Sequence, residues 1–113
     1  MSVTDIIDAQ IDAYNRSDTD GFAATYAEDA LVTRLPSGSV MAAGRGEIAA
    51  VWGAMFARSP RTCVIRNRIV QDDIVIDHER VTLHNDGRVI DAIAIYRVAG
   101  GLISHVWFPD EAA

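Results

Sequence analysis

The first part of the chain places its apolar residues at helical spacing. Val3, Ile7, Ile11 and Tyr14 recur every three or four residues, while aspartates fall on the opposite face. This pattern predicts an amphipathic helix that ends at about residue 16. A Ser-x-x-Asp signal precedes it and is typical of a helix start.

Two further helices are predicted, separated by short strands. A second helix runs from residue 22 to about residue 29, after a polar turn. Residues 30–35 and 39–43 then predict strands on either side of a Pro-Ser-Gly turn. The third helix covers residues 44–59 and ends before a proline. Its apolar stripe consists of Ile48, Val51, Trp52, Met55 and Phe56.

The remaining residues favour β-strands joined by tight turns. The predicted strands are residues 62–71, 74–84, 88–98 and 102–108, with turns at Asp72-Asp73, Asn85-Asp86-Gly87 and Gly100-Gly101. Asp-Gly between two alternating segments is a strong hairpin signal. Helices followed by an antiparallel meander indicate one α+β domain over residues 1–113.

Alternation assigns the residues of the second and third of these strands, 74–84 and 88–98, to two faces. A two-residue turn at Asp86-Gly87 would pair Glu79 with Ala94 and Asp77 with Tyr96. One face then carries Asp77, Glu79, Ala92, Ala94 and Tyr96, and the other carries Ile76, His78, Arg80, Ile93 and Ile95. The two alanines leave room above the sheet beside acidic and phenolic groups. Both faces are largely apolar, so helices must cover one and a second subunit could cover the other.

The last hairpin has two possible registers. A two-residue turn at Gly100-Gly101 places His105 beside Tyr96 on the face with the acids. One extra bulged residue in the turn would instead turn the other set of side chains of the last strand towards the acids. The residues brought to that face are then Ser104, Val106 and Phe108.

Charge and cysteine content exclude several classes of protein. The 113 residues carry a net charge of −6, which disfavours nucleic acid and anionic membranes as partners. No apolar run approaches the length of a membrane span. The single cysteine, Cys63, excludes an internal disulfide and is typical of a buried residue in the cytoplasm. The three histidines lack the spacing of metal ligands, so we expect no metal site.

Three segments resemble the nuclear transport factor 2-like (NTF2-like) superfamily. They are YNRSDTDGFAATYAEDA (14–30), GRGEIAAVWGAMF (44–56) and IDAIAIYRVAGGLISHVWF (90–108). This superfamily includes ketosteroid isomerases and SnoaL-like proteins. The resemblance implies a cone-shaped fold, with three N-terminal helices packed on a curved, mainly antiparallel sheet around a pocket. It also implies a homodimer through the sheet and chemistry without a cofactor or metal.

The best-known activity of that superfamily can be tested by position. Alignment on YAEDALVTRLP puts the isomerase base at Arg34, the oxyanion tyrosine at Gln10 and the oxyanion aspartic acid at Ala94. Arginine cannot accept a proton at working pH, and the other two groups are also absent. Steroid isomerisation by that mechanism is therefore excluded. The same family geometry favours Phe108 and Val106 inward and Trp107 outward.

The candidate site residues carry either chemistry or packing. Asp77 and Glu79, with Tyr96, form an acid/base group if buried and a solvated face or structural ion pair if not. Arg34 lies either in a salt bridge or inside, where Asp77 or Glu79 would have to pair with it. Trp52 and Phe56 are either core or pocket wall. The full set of expected ligand-binding residues is Gln10, Tyr14, Arg34, Trp52, Phe56, Ala94, His105 and Phe108.

Three functions remain open from the sequence. The first is a pocket protein that binds a small, partly apolar organic molecule, with no assignable reaction. The second is a cofactor-independent acid/base enzyme of the cyclase, hydrolase or dehydratase kind. The third is a dimerisation or accessory module whose sheet face is the functional surface. Whether the acidic pair is buried in an open cavity distinguishes them.

Overall fold

The computed structural model describes residues 2–111, which form an α+β domain of three helices and six strands. The elements are α1 Val3–Asn15, α2 Thr19–Ala24, β1 Tyr26–Leu35, β2 Val40–Ala43, α3 Arg45–Arg58, β3 Arg61–Gln71, β4 Ile74–Leu83, β5 Val89–Ala99 and β6 Leu102–Pro109. The predicted α+β class is confirmed. The helices are not all N-terminal to the sheet, because α3 follows β1 and β2.

The start of α1 follows the predicted capping pattern. The backbone N–H of Ser2 donates to Oδ2 of Asp5 at 3.1 Å, which satisfies a donor at the helix start. The buried face of α1 comprises Ile7, Gln10 and Ala13. Gln10 therefore points into the protein, which matters for the site below.

The second helix is shorter than predicted, and β1 begins earlier. α2 ends at Ala24, whereas the sequence pattern extended it to about residue 29. Tyr26 instead opens β1 opposite Ile103 of β6, and the backbone N–H of Ile103 donates to the Thr25 carbonyl at 2.9 Å. The Arg45 side chain also donates two hydrogen bonds to the Tyr26 carbonyl. Tertiary pairing thus overrides the local helical preference of this segment.

All six strands belong to one sheet in the order β2-β1-β6-β5-β4-β3. β1 and β6 run parallel, and every other neighbouring pair is antiparallel. The predicted mainly antiparallel sheet is therefore confirmed. The helices cover one face of this sheet.

The register between β4 and β5 differs from the prediction by two residues. Glu79 lies opposite Ala92, and Asp77 lies opposite Ala94. The chain reverses over residues 84–87, closed by a hydrogen bond from Leu83 N–H to the carbonyl of residue 88, so the loop is longer than two residues. A shift of two preserves side-chain parity. The predicted inner face, with both acids and Tyr96, is confirmed by the burial of these residues.

The β5–β6 hairpin combines features of both predicted registers. Its turn is the two-residue one, because Ala99 pairs with Leu102. A bulge then follows at Ser104, so that Tyr96 lies opposite Val106. Consequently Val106 faces the helices, and His105 faces the opposite side of the sheet.

An aromatic cluster joins the helices to the inner face of the sheet. The Phe22 ring is fully buried and lies 5.2 Å from Tyr26, 5.5 Å from Phe56 and 5.7 Å from Trp52, measured between ring centroids. Tyr14 packs edge-on against Phe56 at 5.3 Å. Such contacts add stability beyond the burial of apolar area and fix the spacing between helices and sheet.

Candidate functional site

The sheet separates along part of its length between β5 and β6. The two strands pair only as far as Ile95 and Trp107. Beyond this point, Phe108 and Pro109 remain paired with β1 along the other edge of β6. Within residues 2–111, no strand pairs with that edge of β5 from residue 89 to residue 94. We call the gap between residues 90–93 and residues 108–111 the β5–β6 opening.

A cavity of about 580 Å³ lies between the helices and the sheet and reaches this opening. Its volume falls within the range of pockets that bind small molecules. Its wall is mostly apolar and aromatic. The side chains lining it include Gln10, Ile11, Tyr14, Tyr26, Arg34, Met41, Trp52, Met55, Arg61, Cys63, Glu79, Val81, Ile90, Ala92, Tyr96 and Phe108.

Glu79 is the carboxyl group inside the cavity wall. It is only 8% exposed, and one carboxylate oxygen accepts a hydrogen bond from the Tyr96 hydroxyl at 3.3 Å. Burial, and then the negative charge of Asp77, raise the pKa of Glu79 to about 7, while hydrogen bonds from Tyr96 and Cys63 act in the opposite direction. A carboxyl group with this pKa exchanges its proton readily near neutral pH.

Asp77 lies next to this group but does not line the cavity. Its side chain is fully buried and accepts two hydrogen bonds from Arg68, at 2.7 and 2.9 Å. Arg68 also donates to Asp8 of α1 at 2.8 Å. Hydrogen bonding to Asp77 is the main reason why the pKa of Arg68 is raised. Asp77 therefore belongs to a buried ion pair. Its negative charge raises the pKa of Glu79, although Asp77 itself does not line the cavity.

Phenolic and amide groups line the cavity near Glu79. Gln10 donates from Nε2 to the Tyr26 hydroxyl at 3.0 Å, and Oε1 of the same amide is buried without a hydrogen-bond partner among residues 2–111. Burial raises the pKa of Tyr26, Tyr96 and Tyr14 above their ordinary value. These hydroxyls therefore stay protonated and act as hydrogen-bonding groups.

Arg34 lies at the rim of the cavity, where it forms a salt bridge, which is one of the two alternatives expected from the sequence. Its guanidinium donates to the carbonyl of Pro109 at 3.1 Å and to the carboxylate of Glu111 at 3.2 Å. The predicted pairing with Asp77 or Glu79 is not observed, because both acids lie deeper, on β4. Arg34 instead ties the end of β6 to β1.

The other predicted residues divide into those that line the cavity and those that do not. Tyr14, Trp52 and Phe108 line it, and Phe108 faces inward as the family geometry favours. Three predicted ligand-binding residues lie elsewhere. Phe56 and Ala94 are packed in the core away from the cavity. His105 lies on the outer face, stacked on Trp107 at 3.8 Å and hydrogen-bonded to Thr33 at 2.8 Å.

Sequence reasoning missed several polar residues of the cavity, among them Tyr26 and Cys63. Tyr26 was assigned to α2, although it begins β1 and points inward. Cys63 was interpreted only as a small buried residue, yet it lines the cavity near Glu79, and burial and Glu79 raise its pKa. Its alternation with the inward-facing Ile65 of β3 was the available signal.

Among residues 2–111, the His, Cys, Asp and Glu side chains form no cluster of three or more suited to a metal ion. None of the helices in this range has the length and apolar character needed to cross a bilayer.

Comparison with known proteins identifies relatives of this fold. No curated protein matches the sequence. An uncharacterised cystatin-fold protein from Novosphingobium aromaticivorans is 27% identical, with a TM-score of 0.84 over 96% of this chain and 97% of that one. An NTF2-like protein of unknown function from Cytophaga hutchinsonii is 15% identical, with a TM-score of 0.77 over 96% and 88%.

A third solved structure contains a small molecule. It is a protein with a ketosteroid isomerase-like fold from Catenulispora acidiphila, in complex with trimethylamine. It is 17% identical, with a TM-score of 0.78 over 91% of this chain and 82% of that one. Likeness at this level of identity concerns the fold.

A match to a family model supports the family that the sequence motifs resemble. The model of the SnoaL-like domain matches residues 7–106, which include the cavity residues from Gln10 to Tyr96. The fold neighbours are NTF2-like and ketosteroid isomerase-like. The chain belongs to the SnoaL-like domain family, within the NTF2-like superfamily.

Proposed function

We propose that this protein binds a small, largely apolar organic molecule in the cavity, with the polar group of that molecule against Glu79. The observation that carries the proposal is a cavity of about 580 Å³ whose apolar wall contains one buried carboxyl group. A carboxyl in such surroundings weakens the fold when ionised. Its position at a cavity surface, where a ligand can contact it, supports a binding role.

Two further features support this role. The β5–β6 opening connects the cavity with solvent, so a ligand has a route that does not require unfolding of a helix. A fold neighbour also holds trimethylamine, which is consistent with a small-molecule pocket in this architecture. The ketosteroid isomerase mechanism is not part of the proposal, since Arg34, Gln10 and Ala94 occupy its three positions.

A cavity-filling variant tests the proposal with the neutral fluorophore prodan as probe. Ala92 lines the cavity, so Ala92→Phe should fill it, whereas Val51→Phe adds the same ring on an exposed part of α3. We expect saturable prodan fluorescence with the unmodified protein and with Val51→Phe, and its loss with Ala92→Phe at an unchanged melting temperature. Absence of saturable binding in the unmodified protein, or undiminished binding in Ala92→Phe, would refute the proposal.

A second candidate function is acid/base catalysis on the bound molecule. Glu79 would transfer the proton, Tyr96 would hydrogen-bond to it, and Asp77 would act as a positioning residue that raises its pKa. The pKa of about 7 favours this candidate, since proton transfer is most effective when the pKa lies near the working pH. Asp77 and Arg68 then tune the reaction without touching the substrate.

Exchange of the α-protons of cyclohexanone in D₂O, followed by NMR, tests this chemistry directly. We expect the protein to accelerate exchange along a pH profile centred near 7, and Glu79→Gln to reduce the rate to that of buffer. Glu28→Gln, which removes an exposed carboxyl of β1, is the matched control and should retain the rate. Equal rates in Glu79→Gln and the unmodified protein would exclude catalysis by Glu79.

We also infer that the outer face of the sheet binds a second copy of the chain. The outward apolar residues of this face are Val64, Ile69, Ile76, Ile93, Ile95 and Trp107. Ile69 is 65% exposed and Ile93 is 43% exposed, so residues 2–111 leave a broad apolar surface uncovered. This face would also be the functional surface if the protein were solely a dimerisation module.

Sedimentation velocity tests this interface. We expect a dimer at micromolar concentration and a monomer after Ile93→Glu, because a buried carboxylate at an apolar interface is unfavourable. Val51→Glu on exposed α3 is the control and should remain dimeric. A monomeric unmodified protein at high concentration would contradict the inference.

A cytoplasmic location completes the proposal. It rests on Cys63, the single cysteine, which is buried as a free thiol. Fractionation of source cells with an antibody to the chain would check it, and recovery from an extracytoplasmic fraction would contradict it.

A further inference from the structure

We propose that the molecule bound in the cavity is a protonated primary or secondary amine with a compact apolar body. This inference rests on the proposed function, because it assigns a chemical class to the ligand of the same cavity. It follows from the groups that the cavity leaves without partners.

The cavity contains more hydrogen-bond acceptors than the protein satisfies. Gln10 is 6% exposed and lines the cavity, and its Oε1 has no donor among residues 2–111. Its Nε2 already donates to Tyr26. Glu79 accepts a long hydrogen bond from Tyr96 at 3.3 Å and a weak one from the Cys63 thiol, which leaves acceptor capacity on its carboxylate. Buried acceptors without donors are unfavourable, so a ligand with at least two N–H groups would relieve both.

No arginine forms a direct ion pair with Glu79 within the described range, and the charge of Arg68 acts on it only from a distance. Arg68 donates to Asp77 and Asp8, and forms no ion pair with Glu79. Arg34 is paired with Glu111 at the rim. A buried carboxylate is stabilised by an opposite charge in direct contact, which in this cavity the ligand would supply.

Arg61 is the other arginine at the cavity, and its contacts lie elsewhere. Its Nε donates to the backbone carbonyl of Ser59 at 3.0 Å, and its guanidinium contacts the Tyr14 hydroxyl. All ten basic residues besides histidine are arginines, so no flexible lysine can reach Glu79. Arg61 therefore forms no ion pair with Glu79 within the described range, although it adds a positive charge to the same cavity wall.

Aromatic rings and rim charges favour a cation in the same way. The aromatic side chains of Tyr14, Tyr26, Trp52 and Tyr96 line the cavity, and an ammonium group is attracted to the face of such a ring. At the β5–β6 opening, Asp91 pairs with Arg66 and Arg80 and Glu111 pairs with Arg34, whereas Asp110 forms no ion pair within residues 2–111 and adds a negative charge. With a net charge of −6, the chain attracts cations towards this opening and repels anions.

The proposed binding of an amine predicts a specific dependence of ligand affinity on pH. An aliphatic amine is already protonated at neutral pH, so it binds best to ionised Glu79, and below pH 7 its binding releases the carboxyl proton to solvent. Its affinity should therefore rise about tenfold between pH 6 and pH 8, as the ionised fraction of Glu79 grows from about 0.1 to about 0.9. A neutral acceptor such as an alcohol or ketone prefers protonated Glu79 and shows the opposite dependence.

Cyclohexylamine and cyclohexanol form a matched pair of probes, measured by NMR titration at pH 6 and pH 8. We expect cyclohexylamine to bind at least tenfold more tightly than cyclohexanol at pH 8, and about tenfold more tightly at pH 8 than at pH 6. Glu79→Gln should remove the pH dependence and most of the preference for the amine. Gln10→Leu should weaken the amine more than the alcohol, and Glu28→Gln should change neither.

The outcomes separate this inference from the proposed function. Cyclohexanol binding as tightly as cyclohexylamine, with affinity that falls between pH 6 and pH 8, would overturn the amine assignment and leave the pocket function intact. This is also the result expected if the Gln10 amide is turned so that its N–H groups face the cavity. Failure of both probes and of prodan to bind would overturn the proposed function itself.

Discussion

Replacement of Glu79 by glutamine should change the pH dependence of stability in a defined direction. The pKa of Glu79 is raised from 4.5 to about 7 in the folded protein, so the folded state binds this proton more tightly than the unfolded chain. The carboxyl therefore contributes stability below pH 4.5, and this contribution is lost as the pH rises to 7. A shift of this size corresponds to about 3 kcal/mol.

Chemical denaturation at pH 5 and pH 8 measures this effect. The free energy of unfolding of Glu79→Gln, minus that of the unmodified protein, should increase by about 2 to 3 kcal/mol between the two pH values. Glu28→Gln, on an exposed part of β1, should give a difference that is nearly independent of pH. Parallel curves for Glu79→Gln and the unmodified protein would refute the raised pKa and, with it, the account of Glu79 as a proton-exchanging group.

Two further variants test the contacts that hold the site in place. Arg68→Met should destabilise the fold by about 3 to 5 kcal/mol in urea denaturation, because it leaves the fully buried Asp77 charge without a partner. Arg97→Met, which removes an exposed ion pair, is the control and should lose no more than about 1 kcal/mol. Similar losses in both variants would contradict a special role for the buried pair. Asn15→Ala should cost about 1 to 3 kcal/mol, since its amide bonds to both the N–H and the carbonyl of Cys63. Faster hydrogen exchange of the Cys63 amide should accompany this loss, and an unchanged exchange rate would argue against the tether.

Side-chain alternation along β4 and β5 was sufficient to predict which residues face the helices. The pairing partners were wrong by two positions, because the length of the loop at residues 84–87 is not encoded in the alternation. The assignment of residues to the two faces was still correct, because a shift of two residues leaves every side chain on the same face. The same reasoning could not decide the position of His105, where a bulge at Ser104 changes the parity of β6.

The sequence could not predict that Arg68 is the partner of Asp77, for a related reason. A bulge between Ile65 and Asn67 changes the parity of β3, so that Arg68 turns inward opposite Asp77. Without that bulge, strict alternation from Ile65 would direct Arg68 outward. Sequence reasoning therefore treated both acids alike, either as a buried acid/base pair or as a solvated face or structural ion pair. Arg68 instead engages one of them and leaves Glu79 as the chemically available group.

The divergence of β6 from β5 has a consequence for how selectivity can change in this family. The width of the opening depends on the course of residues 108–111, which are anchored to β1 through Arg34. The proton affinity of Glu79 depends on β3, β4 and α1, through Arg68 and Asp77. Under the proposed function, substitutions in residues 108–111 would change the size of the molecules that can enter, while the pKa of Glu79 stays the same. Selection by size and selection by chemistry can therefore evolve independently.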